Sequence, residues 1–88
     1  MKIEKGAFVI SKAGHDYNSL YVILECDDEY VYLSDGKIRT VENPKKKKIK
    51  HIQVTNHLAP GISEKIEQGA AIINEDIKRA IKMYKAEN

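Results

Sequence analysis

The chain has 88 residues, 42% of them hydrophobic, and carries 15 Lys and Arg against 13 Asp and Glu for a formal net charge of +2. That length allows one domain with a small core, which favours a binding module over an enzyme with a deep cleft. The composition excludes an acidic solvating tail, a histone-like polycation and a disordered chain.

Taken in order, residues 7–12 read as a short strand rich in β-formers, followed by a loop over 13–19. That loop contains Gly14 and Asn18, the residue types that best tolerate positive φ. Residues 20–26 alternate as a second strand, with Tyr21, Ile23 and Glu25 on one face and Val22, Leu24 and Cys26 on the other. After a tight turn at Asp27 and Asp28, residues 29–34 form a third strand. Asp35-Gly36 is the strongest short hairpin signal and predicts a fourth strand over 37–42. Asn43-Pro44 ends it, Lys45–Lys48 form a charged loop, and residues 49–54 make a fifth strand whose apolar positions alternate imperfectly. Five short strands spaced by turns suggest a small closed or nearly closed barrel. Beyond Asn56 the texture turns helical. Residues 62–68 read as a short helix with Ser63 as a candidate N-cap and Gly69 as its end. Asn74 caps a second helix with a buried stripe of Ile77, Ala80, Ile81 and Tyr84. Lys78, Arg79, Lys82 and Lys85 fill its remaining faces.

The near-neutral total conceals segregation. Residues 16–35 sum to −6, residues 37–51 to +6, and residues 58–88 cancel. Opposed blocks of this size make a directional field that steers charged partners. One cysteine, Cys26, builds no internal disulfide framework and fits a reducing compartment. No apolar h-region follows the first charges, and the longest apolar stretch of the first half, 20–24, is far too short to span a membrane. The expected location is the cytoplasm, with no membrane partner.

Residues 5–16, with Gly6 and Gly14, resemble a KOW motif, a strand–loop–strand unit recurring in ribosomal proteins and transcription elongation factors. The block Asp35-Gly36-Lys37-Ile38-Arg39, followed by residues 43–56, resembles the small bacterial KOW-domain RNA-binding proteins. These are related to an archaeal and eukaryotic large-subunit ribosomal protein of the fourteen-e type. The resemblance covers residues 5–57 well and the tail more loosely. It implies a five-stranded SH3-like barrel over residues 1–57 with a helical extension over 58–88, RNA binding, and association with ribosomal RNA or the ribosome. Where relatives commonly carry a basic residue and a glycine after Asp16, this chain has Tyr17 and Asn18. Asn supports the same left-handed backbone, and Tyr17 offers a base a stacking face.

The expected RNA-contacting residues are Lys12, Gly14, His15, Tyr17, Lys37, Arg39, Lys45, Lys46, Lys47, Lys48, Lys50 and His51. Lysines would neutralise phosphates and release counterions. A solvated charge run is the bland reading of Lys45–Lys48, and the scarcity of acids nearby in sequence, Glu42 being closest, argues against it. Lys37 and Arg39 would share one face of the fourth strand. For Tyr21, Tyr30 and Tyr32, packing is favoured over stacking. The acidic turn 27–29 either orients RNA by repulsion from the far side of the barrel or binds a basic protein. His15, His51, His57 and Cys26 lack metal-ligand spacing, so no metal or cofactor is expected. No nucleophile has an evident base, so no enzymatic activity is expected. The protein should be a monomer when free, binding ribosomal RNA and in addition ribosomal proteins. The alternative is a module that docks on a ribosomal or transcription protein.

Overall fold

A computed structural model describes residues 3–87. The strands are β1 (Ala7–Ser11), β2 (Leu20–Cys26), β3 (Tyr30–Ser34), β4 (Lys45–Lys48) and β5 (Ile52–Leu58). A 3-10 turn, Ile49–His51, separates β4 from β5, and helices α1 (Ile62–Gln68) and α2 (Asn74–Glu87) follow. The protein is therefore mainly β, with one five-stranded antiparallel sheet in the order β4-β3-β2-β1-β5.

β4 and β5 lie at opposite edges and no ladder joins them. In a flat sheet those edges would stand about 19 Å apart, four strand spacings. The three residues Ile49–His51 connect them, and a 3-10 turn of that length advances only about 6 Å. The sheet must therefore curl strongly. Its concave face carries Ala7, Val9, Tyr21, Ile23, Val31, Leu33 and Val54 as one core. Its convex face carries Phe8 and Val22, which meet Ala59, Ile62, Ile77 and Ala80 from the helical segment in a second core. Phe8, Ile62 and Ile77 are fully buried there, and each such side chain contributes about 1.5–3 kcal/mol. Phe8 also meets the Tyr84 ring with centroids 4.5 Å apart. The apolar stripe predicted for the second helix thus docks α2 on the back of the sheet.

The structure departs from local expectation at several places. Residues 37–42 form no strand, and Lys45–Lys48 do. The Asp35-Gly36 signal marks a loop instead. Asp35 Oδ1 accepts the Lys37 and Arg39 N–H groups at 2.9 and 3.0 Å, and the Ser34 hydroxyl donates to the Arg39 carbonyl at 2.7 Å. Residues 49–51 form the 3-10 turn, which explains why the apolar residues of 49–54 fail to alternate. The β2–β3 register shifts between Ile23 and Glu25. The bulge moves Cys26 to the concave core beside Tyr21 and Ile23, away from the face it would share with Val22.

Helix α1 is capped by Gly61 and not by Ser63. The Glu64 carboxylate accepts the Gly61 N–H at 3.0 Å, and Gly69 closes the helix in left-handed conformation. At the start of α2, Asn74 reaches sideways: its Oδ1 accepts the Val41 N–H at 2.8 Å and its Nδ2 donates to Glu42 at 3.0 Å. Asp76 accepts the Ile73 N–H at 3.0 Å and an ammonium hydrogen of Lys65 at 2.7 Å. No described helix is long and apolar enough to cross a membrane.

Candidate nucleic-acid interface

The lysine strand divides by the pleat. Lys45 and Lys47 pair with Leu33 and Val31, and so share the concave face with them; Lys46 and Lys48 pair with Tyr32 and Tyr30 on the other face. Lys47 is 8% exposed, the one lysine among the buried residues described. Its ammonium group donates to Ser11 Oγ at 2.9 Å, the Ala13 carbonyl at 2.7 Å and Asp16 Oδ1 at 2.8 Å. Three donors meet three acceptors, which is what an ammonium buried at this depth requires. Asp16 also accepts the Ser11 and Tyr21 hydroxyls, each at 2.9 Å. Partial burial pushes the Asp16 carboxyl up, but the hydrogen bonds from Lys47, Ser11 and Tyr21 outweigh it and hold the group at about 2. Burial first, and then the bond to Asp16, raise Tyr21 to about 12.

This network locks the 13–19 loop onto β4. Gly14 lies beside Lys47 with φ +87°, and Asn18 holds a φ of 69°, the left-handed conformation expected of it. Lys12 donates to Asn18 Oδ1 at 2.9 Å, and its ammonium lies 5.2 Å from the Tyr17 ring centroid. His15 and Tyr17 are exposed. His51 lies in the 3-10 turn, its carbonyl accepting the Lys12 N–H at 2.8 Å.

In space, acids lie close to the lysine run. Besides the Lys47 pair, Lys45 stands 3.9 Å from Asp16. The turn 27–29 lies alongside the end of β4, because Tyr30 pairs with Lys48 and the Glu29 carbonyl accepts the Ile49 N–H at 2.9 Å. The acidic turn is therefore adjacent to the basic strand, and its placement on the far side of the sheet does not hold. Lys46 sits 4.3 Å from the centroid of the Tyr30 ring, a cation–π contact that leaves its charge near solvent. Tyr21 is buried, and Tyr30 and Tyr32 are half-buried.

Two predicted residues fall elsewhere. Tyr17 and Lys37 line a groove of about 920 Å³ between the 17–20 loop and α2, whose far wall includes Lys78, Arg79, Lys82 and Lys85. Lys37 and Arg39 belong to the 34–39 loop, not to alternate positions of a strand. The α2 cations were hidden in the sequence by a neutral sum over 58–88, although their spacing reveals them. At 100° per residue, Lys78, Lys82 and Lys85 fall on one flank of the buried Ile77/Ala80 stripe.

Compared with known proteins, the chain matches no family model and no curated sequence.

Proposed function

We propose that the protein binds RNA without catalysis, with ribosomal RNA as its target and the ribosome as its place of action. In this reading the curled sheet is an SH3-like barrel of the KOW type working in the cytoplasm. The observation that carries the proposal is a surplus of exposed and half-buried cations set on fixed elements. Lys48 and Lys50 at the end of β4, Lys37 and Arg39 on the 34–39 loop, and Lys82 and Lys85 on α2 form no side-chain ion pair among the described residues. Unpaired lysines add self-repulsion to a folded state, and a phosphate backbone relieves it while releasing counterions. The predominance of Lys over Arg favours backbone contact over base readout, which draws on bidentate Arg. Lys47 is assigned to the loop-locking network, so it contributes positioning and not a phosphate contact.

The test is sedimentation of a cell extract through sucrose gradients at low and high salt, with and without nuclease. Co-migration with large ribosomal subunits that both high salt and nuclease abolish supports RNA binding. Association that survives nuclease contradicts it and favours a protein partner.

A further inference from the structure

We infer that the groove between α2 and the 17–20 loop holds a single-stranded RNA segment, with phosphates on Lys82 and Lys85 and a base stacked on Tyr17. The inference rests on the RNA-binding reading and moves its main contact from the lysine strand to the helix.

Helix α2 is held rigidly on the sheet. Ile77 and Ala80 are buried against the sheet, and Gly36 lets the first turn of α2 approach so closely that a Cβ there would stand 2.6 Å from the Asn74 carbonyl oxygen. The helix backbone is therefore fixed, and with it the flank from which its lysines extend. From Lys82 to Lys85 the helix advances about 5 Å, so both lysines extend toward one short run of backbone phosphates.

Cations outnumber carboxylates in the groove. The groove gathers Lys37, Lys78, Arg79, Lys82 and Lys85 against two carboxylates, Asp35 and Glu75. Asp35 is engaged by backbone N–H groups and Glu75 pairs with Lys78 at 2.9 Å. Lys37, Lys82 and Lys85 form no ion pair among the described residues. The β4 surface differs, with Lys45 and Lys47 directed at Asp16 and the acidic turn alongside Lys48. A polyanion therefore meets less opposing charge in the groove than on the strand.

An aromatic ring stands at the rim of the groove. Tyr17 is 59% exposed on a loop whose backbone is held by the Tyr17 N–H to Gly14 at 3.2 Å and the Asn18 N–H to Ser11 at 2.8 Å. An exposed ring on a pinned loop beside a cationic groove has the components of a single-strand site, stacking and charge, and accepts any base. A duplex keeps its bases stacked internally and gives the ring nothing; an acidic peptide supplies charge but no base to stack.

The test is fluorescence anisotropy with a labelled oligouridine of about a dozen nucleotides, at salt between about 50 and 200 mM. Lys82 and Lys85 are both exposed, so the double replacement Lys82→Gln with Lys85→Gln leaves the core alone. It is expected to weaken binding about tenfold and to flatten the log–log salt slope by about 1.4, two contacts at roughly 0.7 each. Tyr17→Ala should weaken binding by about fivefold or more with the slope unchanged, and Tyr17→Phe should bind as the parent does. Lys48→Gln with Lys50→Gln should have the smaller effect. If the helix variant binds normally while the β4 variant fails, the groove assignment is overturned and RNA binding stands. If the unaltered protein binds neither oligouridine nor ribosomal RNA, the RNA reading falls as well. Competition by polyglutamate or duplex RNA as effective as that by oligouridine also overturns the assignment.

Discussion

Lys47 shows how one side chain can carry two opposite readings. Within a run of four lysines it is indistinguishable from its neighbours, yet the pleat turns it inward to Asp16, 31 positions away in sequence. Removing one member of a buried charged pair leaves the other uncompensated. Lys47→Met should therefore cost about 3–5 kcal/mol in urea unfolding, and adding Asp16→Asn should recover part of the loss. A Lys47→Met variant of normal stability would show that the pair is not structural. The network also sets a pH dependence. Asp16 falls from its ordinary 3.8 to about 2, so the folded protein binds this proton more weakly than the unfolded chain does. The resulting stabilisation, about 2 kcal/mol, is present above pH ~4 and is lost as the pH falls toward ~2. Asp16→Asn should remove that share of the acid limb of the stability profile. Tyr21 works at the other end. Raised from 10.0 to about 12, it holds its proton more tightly when folded. Its contribution is complete below pH ~10 and is lost as pH rises toward ~12, and Tyr21→Phe should flatten the alkaline limb.

Among the elements, those defined by their own local pattern were legible in the sequence. β1 and β2 show short apolar runs of β-formers between turn residues, β3 shows alternation, and α2 shows a helical stripe, so their positions follow from local pattern. β4 does not. Lysine is a poor strand former, and Lys45–Lys48 pair because β3 offers an open edge and Lys47 finds acceptors in a distant loop. At that edge the lysines also discourage pairing with another chain's sheet. The converse error lies at 37–42, where a hairpin dipeptide and two apolar residues suggest a strand. There Ile38 is 84% exposed, and the glycine serves a helix. Gly36 has φ +77°, and an added Cβ would stand 2.9 Å from the Lys78 side chain as well as 2.6 Å from the Asn74 carbonyl. Gly36→Ala should cost about 2 kcal/mol or more and lower hydrogen-exchange protection across α2 before the sheet. Unchanged protection of α2 would contradict this docking. For the candidate site, the residues of the 13–19 loop were legible through Gly14 and Asn18. The α2 cations are visible in the sequence on the helix's remaining faces, but a sum over 58–88 erases the flank that Lys78, Lys82 and Lys85 share.

At the scale of the molecule, folding rearranges the charge pattern. The −6 and +6 stretches of the sequence come side by side: Asp16 meets Lys45 and Lys47, and the 27–29 turn borders Lys48. The neutral tail instead yields a one-sided basic helix, because Lys65 is paired with Asp76 while Lys82 and Lys85 have no such partner among the described residues. Where α2 faces the 17–20 loop, five cations, Lys37, Lys78, Arg79, Lys82 and Lys85, line one groove with two carboxylates, Asp35 and Glu75, a surplus that would steer a polyanion there. The most direct test of RNA binding is a titration of isotope-labelled protein with unlabelled oligouridine, followed by amide chemical shifts. The account predicts saturable shifts confined to residues 12–20, 37–39, 48–51 and 78–85, reversed by salt. No shifts, or shifts centred on the acidic turn 27–29, would contradict it.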